Sequence, residues 1–281
     1  MKQRRVFVRT TSDQHAIRRL KGKQDNDNVL TTPVARLDGS ICSTAEEVAK
    51  RWTEHYESTL NQLAANLCSE LNYLAASATP DMSIAEDAPT LEEVMRAVRH
   101  LRNGRAAGSD EIAPEFLKYA EAPISQALHD LFSTVWSSGK VPAEWKEGII
   151  VSLYKGKGLR SCCNSYRPIS LLSVPGKVFA HVLLARLQPL LDRNKRPQQS
   201  GFTAGRSTVD AILALRLLSE LHYAFSRPLH TAYIDVKAAF DSVDRAALWK
   251  ALKGAGTALL LMHLLCDLHT GTTAKVYGKR N

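Results

Sequence analysis

The chain has 281 residues, 44% of them hydrophobic and 23% charged, which excludes a disordered protein and allows one or two globular domains. Its formal net charge of +9 and pI of about 9.4 favour a polyanionic partner, a nucleic acid or an anionic membrane surface. Five cysteines (Cys42, Cys68, Cys162, Cys163, Cys266) show no C-x-x-C and no zinc-type spacing, so a disulfide or zinc scaffold gives way to free thiols in a reducing compartment. The charge is uneven: residues 1–23 carry eight basic groups against Asp13, a net of +7 that leaves +2 for the remainder. No apolar stretch marks a secretory leader, and the longest apolar run, near Ala258–Cys266, is broken by His263 and too short for a bilayer. No membrane association is expected, and the localisation expected is intracellular, in nucleus or cytoplasm.

In chain order, residues 1–40 read as a basic arm with a possible small hairpin, turning at Thr31-Thr-Pro33 and Asp38-Gly39. Ser43-Thr-Ala-Glu46 has the capping-box pattern and opens a helix to about residue 62, with Trp52, Tyr56 and Leu60 on one face. Residues 63–89, with Pro80 and Pro89, read as a connector. Thr90-Leu-Glu-Glu93 repeats the capping box before a helix to about Leu101, with Leu91, Val94, Met95 and Val98 at helical spacing. A basic, glycine-bearing loop follows at Asn103–Gly108, and Pro114 suits the first turn of a short helix over 115–120.

Pro123–Ser138 is expected to be helical, burying Ala127, Leu128, Leu131, Phe132 and Trp136, with Gly139 as its cap. Gly148–Tyr154 is β-rich and turns at Lys155-Gly-Lys-Gly158. Tyr166–Leu172 is a second strand or a turn into a helix over Lys177–Leu191. Gln198–Thr208 is a loop rich in glycine and hydroxyls, and Val209–Phe225 an amphipathic helix. Thr231–Val236 reads as a strand, after which Asp244 caps a helix ending at Gly254-Ala-Gly256. Helices dominate over a few strands that are not all adjacent in sequence, which places the chain in the α+β class.

Asp235 is the residue that asks for a reason. Aspartate is depleted in strands, yet this one is flanked by Tyr233, Ile234 and Val236. It is either an edge-strand carboxylate facing water or a metal ligand at the end of a buried strand. Lys155-Gly-Lys-Gly-Leu-Arg160, with Arg167, is either a solvated turn or a phosphate-binding surface, and it lacks the spacing of a Walker A loop. The loop Gly201-Phe202…Gly205-Arg206 reads in the same two ways. No nucleophilic triad or dinucleotide fingerprint occurs, and no histidine has a partner at catalytic spacing.

Five blocks in order change the weighing: Met95–Asp110, Trp145–Lys155, Asn164–Ser173, Gln198–Thr208 and Tyr233–Val243. Together they resemble the successive blocks of reverse transcriptases, with the closest resemblance to non-LTR (LINE-type) retrotransposon polymerases, over roughly residues 90–281. The resemblance implies a right-hand polymerase with fingers and a partial palm, helix-rich around an incomplete sheet. It divides the chain into a basic arm (1–40), a helical connector downstream of an endonuclease domain (41–89), fingers (90–230) and the start of the palm (231–281).

By that resemblance Asp235 is the first catalytic metal-binding aspartate, with the Val236 carbonyl beside the ions. Phe240 is the gate that senses the 2′-hydroxyl of the incoming nucleotide. Lys155 and Arg167 hold the triphosphate, and Gly201 and Arg206 contact the template. The implied cofactor is a pair of Mg²⁺ ions, and the implied partners are an RNA template, a DNA primer and deoxynucleoside triphosphates. The chain departs from the family in two ways. Thr203 stands where an arginine usually follows Gly-Phe, and no Asp-Asp pair occurs to supply the later palm carboxylates. The expected product is a fragment of an RNA-directed DNA polymerase, inactive by itself; the alternative is a non-catalytic RNA- or DNA-binding product. Asp241, Asp244 and Asp267 are candidate substitute ligands, read instead as a turn residue, a cap and a helical-face residue.

Overall fold

The computed structural model describes residues 5–7, 33–61, 81, 83–236 and 239–276. Most of the basic arm and of the connector, including Cys68 and Pro80, lies outside the described residues. The first elements are β1 (Arg5–Phe7), α1 (Ala45–Leu60), α2 (Leu91–His100), α3 (Pro114–Tyr119) and α4 (Glu121–Ser138). Then follow β2 (Glu147–Tyr154), β3 (Tyr166–Leu172), α5 (Val174–Asn194), α6 (Thr208–Ala224), α7 (Arg245–Gly254), α8 (Leu259–His269) and β4 (Thr273–Val276). This is the expected α+β class.

The sheet runs in the order β1-β4-β2-β3. Strands β2 and β3 form an antiparallel hairpin, in register from Gly148↔Leu172 to Tyr154↔Tyr166. Strand β4 lies parallel to β2 from Glu147↔Thr273 to Ile150↔Val276, and β1 extends the sheet with Arg5 opposite Thr273. Along β2 the buried positions alternate at Gly148, Ile150 and Ser152, the period of a strand with one face covered. Helix α1 covers that face. Its stripe Val48, Trp52, Tyr56 and Leu60 packs with Ile150, Tyr166 and Val276. Trp52 stacks on Tyr56 at 5.5 Å and meets the edge of Tyr166 at 5.1 Å. The buried Tyr56 hydroxyl shares a 2.6 Å hydrogen bond with Ser152 Oγ, so no polar atom of that pair is left unsatisfied.

A second core joins α2, α4, α5 and α8 around Val98, Phe132, Phe179, Leu183 and Leu261. Trp145 seals it, with its ring 5.3 Å from Phe179 and its side chain against Gly176. Arg186 of α5 ties this core to the end of the connector. Its side chain is 7% exposed and makes a bidentate pair with Glu93 at 2.8 Å on both arms. It also donates to the Ala85, Asp87 and Ala88 carbonyls and lies 4.9 Å over the Trp136 ring.

Several sequence expectations shift here. The first capping box belongs to Thr44 and Glu47, one residue later than the Ser43–Glu46 pattern, because Glu47 Oε2 accepts from both Ser43 and Thr44 N–H groups. In α4 the buried stripe is Ser125, Leu128, Phe132, Val135 and Trp136, whereas Ala127 and Leu131 face solvent. Helix α5 starts earlier than expected, since Ser173 caps it through the Gly176 N–H and Pro175 fits the first turn. The largest corrections concern the chain after residue 195. Residues 231–236 form no strand and are exposed throughout, and α6, expected to bury an apolar face, buries no residue. A strand needs a neighbour to take its N–H and C=O groups, and Thr231–Val236 has none among the described residues.

Gly108 marks a close approach that sequence alone does not reveal. A Cβ there would lie 2.5 Å from the Leu172 carbonyl carbon and the Ser173 nitrogen, both backbone atoms at the β3–α5 junction. Gly108→Ala should therefore cost about 3 kcal/mol in urea unfolding, as overpacking against backbone does. Gly104→Ala, with open space around the Cβ but φ of +70°, should cost only about 1 kcal/mol. Equal losses at the two positions would contradict the close approach at Gly108.

Candidate nucleotide and nucleic-acid site

The β2–β3 hairpin brings two of the candidate cations to one end of the sheet. Leu153 pairs with Arg167 and Tyr154 with Tyr166, and Lys155 is the first residue of the connecting turn. Lys155 N–H donates to the Ser165 carbonyl at 2.8 Å, closing the turn, and its ammonium donates to the Asn164 carbonyl at 2.6 Å. That leaves further ammonium protons for an anion. Gly156 and Gly158 take φ of +78° and +84°. Tyr154 Oη donates to the Gly158 carbonyl at 2.6 Å, and Tyr166 Oη to the Arg160 carbonyl at 2.9 Å. The Arg160 guanidinium lies over the Tyr154 ring at 4.9 Å. The turn is therefore braced by both tyrosines, with Lys155, Lys157, Arg160 and Arg167 all exposed.

Helix α1 contributes a residue to this end that the sequence did not suggest. His55 is half-buried, and burial first, then the nearby Arg51 and Lys155 charges, hold its pKa below the usual value. A histidine at helical spacing beside an aromatic stripe carries no sequence signal for such a neighbourhood; the packing of α1 on the hairpin creates it.

The other candidates sit on the segment that follows α5. Gly201 opens a turn in which Thr203 Oγ1 donates to the Gln199 carbonyl and Arg206 N–H to the Thr203 carbonyl. Phe202 holds φ of +54°, in the left-handed region that non-glycine residues rarely occupy. Ser207 and Asp210 form a complete capping box and start α6. Beyond α6 come the exposed Thr231–Val236, with Asp235 and Val236 in it, and then Phe240, which is 79% exposed. Its ring meets that of Phe202 edge-on, 5.7 Å between centroids. The structure thus brings the Gly201 loop and the Phe240 turn together through two aromatic rings, although the sequence reading assigned Phe202 no role.

It does not join those residues to the hairpin. Among the described residues, every hydrogen bond, ion pair and ring contact of residues 196–243 stays within that segment. Two of the other candidate aspartates, Asp244 and Asp267, are occupied. Asp244 Oδ1 accepts from Ala246 and Ala247 N–H groups as the cap of α7. Asp267 accepts from Val141 N–H and pairs with Lys146, both at 2.9 Å. Burial pushes the Asp267 carboxyl up, but these two donors outweigh it and hold the pKa below normal. Among the described residues no group of three or more histidine, cysteine or acidic side chains could hold an ion. No helix of the described residues is long and apolar enough to cross a membrane.

Residues 154–278 match the family described as "Reverse transcriptase (RNA-dependent DNA polymerase)". The chain is 34% identical over 186 residues to a putative 115 kDa protein of the type-1 retrotransposable element R1DM of Drosophila melanogaster, covering 65% of this chain and 18% of that protein. It is 27% identical over 236 residues to the RNA-directed DNA polymerase from mobile element jockey of the same organism, covering 80% of this chain and 25% of the relative. A third similarity, 26% over 234 residues, is to an uncharacterised 149 kDa protein of transposon TX1 of Xenopus laevis, covering 82% of this chain and 18% of that protein. The chain thus spans between 18% and 25% of the length of these relatives.

Proposed function

We propose that this chain belongs to the reverse transcriptase family, in its non-LTR retrotransposon branch, and forms the fingers and opening palm of an RNA-directed DNA polymerase; the family match over residues 154–278 and the similarity to proteins of R1DM and jockey support this. In this reading 1–40 is a nucleic-acid-binding arm, 41–89 a connector, 90–230 the fingers and 231–281 the start of the palm. The observation that carries it is the β2–β3 hairpin. One end of it presents Lys155 and Arg167, both exposed and close in register, on a turn braced by Tyr154 and Tyr166.

Phosphoryl transfer needs little covalent work from the protein and much charge placement, so a cationic clamp on the triphosphate is the part that fingers supply. Lys155 and Arg167 take that role. Gly201 and Arg206 lie along the template strand, and Phe240 stands beside the sugar of the incoming deoxynucleotide. Asp235, with the Val236 carbonyl, supplies one set of oxygens for divalent metal in the complete polymerase. The donor set of this chain does not fit two Mg²⁺ ions by itself. Each ion takes several oxygen ligands, while Asp235 is exposed and the neighbouring acids Asp244 and Asp267 are committed elsewhere. The isolated chain therefore binds nucleotide and nucleic acid without turning over.

Primer extension on an RNA template with Mg²⁺ or Mn²⁺ should yield no template-dependent product, and synthesis abolished by Asp235→Ala would overturn the inactivity. The clamp is tested separately by saturation-transfer NMR with dTTP. Lys155→Gln with Arg167→Gln should weaken binding about tenfold or more, as expected for two charge-assisted contacts. Asp235→Asn should leave it unchanged in metal-free buffer. Equal dTTP binding by all three proteins would remove the hairpin from the nucleotide site.

A further inference from the structure

Phe202 has a conformation that local folding does not account for. Its backbone holds φ of +54°, in the left-handed region, where a residue with a Cβ is strained. The surrounding loop fixes that conformation. Gln199 Nε2 donates to the Gly201 carbonyl at 3.1 Å, and the Thr203 hydroxyl is shared between the Gln199 and Gly201 carbonyls, at 3.0 and 3.3 Å. Yet the strain secures no burial, because the Phe202 side chain is 94% exposed. Strain kept at an over-determined position that buries nothing points to a contact outside the chain. Among the described residues the ring meets one other, that of Phe240, at 88° and 5.7 Å between centroids. Both rings are largely exposed, so stacking faces of this edge-on pair stay open.

The charge of the loop narrows what that contact is. From Arg196 to Arg206 there is no acidic residue, both arginines are exposed, and neither makes an ion pair among the described residues. A purely apolar partner would leave these cations without counter-charge. A single strand of nucleic acid satisfies both features, since every base offers a π face to an aromatic ring and its flanking phosphates go to cations. We propose that Phe202 is a base-stacking residue for single-stranded nucleic acid, with Phe240 backing its ring and the loop arginines meeting the flanking phosphates. This rests on the reading that the Gly201 loop lies along the template, and it adds to that loop a residue that contacts a base rather than the backbone.

The test uses two fluorescein-labelled oligomers on the full chain, followed by anisotropy. One is a short oligouridine; in the other, of equal length, abasic residues replace the uridines, so the phosphates remain and the stacking faces go. Wild type should bind the oligouridine about tenfold more tightly than the abasic oligomer. Phe202→Asn removes the ring with a side chain that tolerates a left-handed φ. It should cut the preference about fivefold or more, within the range of one stacked base, while the urea midpoint stays equal or rises. Phe202→Trp keeps a stacking face and should keep the preference. Arg206→Gln should weaken both oligomers alike, because a phosphate contact does not read the base. The proposal is overturned if Phe202→Asn retains the wild-type preference, or if wild type shows none. If Arg206→Gln changes neither affinity while Phe202→Asn still loses the preference, the template reading of the loop fails and the stacking role of Phe202 stands.

Discussion

Replacing Arg186 by methionine should destabilise the chain by about 4 kcal/mol, the cost of leaving a partly buried carboxylate and three backbone carbonyls without their donor. The guanidinium meets Glu93 on α2, the Ala85, Asp87 and Ala88 carbonyls of the connector and the face of Trp136 on α4. Lysine cannot replace it, because one ammonium lacks the planar fork that serves both Glu93 oxygens and the carbonyls together. Arg186→Lys should recover less than half of the loss.

The same pair sets an acid limb. The Arg186 bond, aided by the Thr90 N–H, holds the Glu93 carboxyl at about 2 against a usual value of 4.5, although burial pushes the other way. Its folded pKa is depressed, so its contribution is complete above pH 4.5 and is lost as pH falls from there towards 2. The size is on the order of 3 kcal/mol. Urea unfolding between pH 6 and pH 2.5 should show this loss in the wild type and a much flatter limb in Arg186→Met. Parallel pH profiles for the two proteins would mean that the Glu93–Arg186 pair contributes no net pH dependence.

At micromolar concentrations the isolated chain should self-associate, and Ile212→Lys with Leu217→Lys should suppress this without lowering stability. From Leu191 to Ala255 none of the described residues is buried. Helix α6 carries Ile212, Leu213, Leu217, Leu218 and Leu221 at 48–65% exposure, with polar residues confined mainly to the strip of Arg216, Ser219 and Glu220. A helix apolar over most of its circumference is of the kind found inside a larger core. Beside it in sequence, Tyr233, Ile234 and Val236 are more than 60% exposed on backbone with no ladder partner among the described residues, a further template for intermolecular pairing. Light scattering on a size-exclusion column would show the association, and urea midpoints should agree within about 0.5 kcal/mol because the substituted side chains are already solvated. A monomeric wild-type chain with a sharp cooperative melt would refute this.

Local rules read from the sequence survive where the energy is local. The Thr90–Glu93 capping box, the Gly139 left-handed cap and the Asp244 cap are all present as expected, since each involves atoms within four residues. The β-rich runs at Gly148–Tyr154 and Tyr166–Leu172 pair as a short hairpin, so the nearness of Lys155 and Arg167 was legible from their spacing around one turn. The resemblance to reverse transcriptases was legible too, because it rests on the order of blocks rather than on contacts, and the match over residues 154–278 agrees with it.

What the sequence could not decide are pairings across long separations. Strand β4 joins β2 more than a hundred residues away, Asp267 reaches Lys146, and Arg186 finds Glu93. No periodicity encodes such partners, because many residues of the same type compete for each and only the packed core selects among them. The Thr231–Val236 stretch shows the converse. Its composition reads as a strand, but a strand is a relation between two chains of backbone, and without a neighbour among the described residues Thr231–Val236 stays outside any sheet and exposed. The identity of the carboxylate was written in the sequence; whether it stands in a site was decided by what packs beside it.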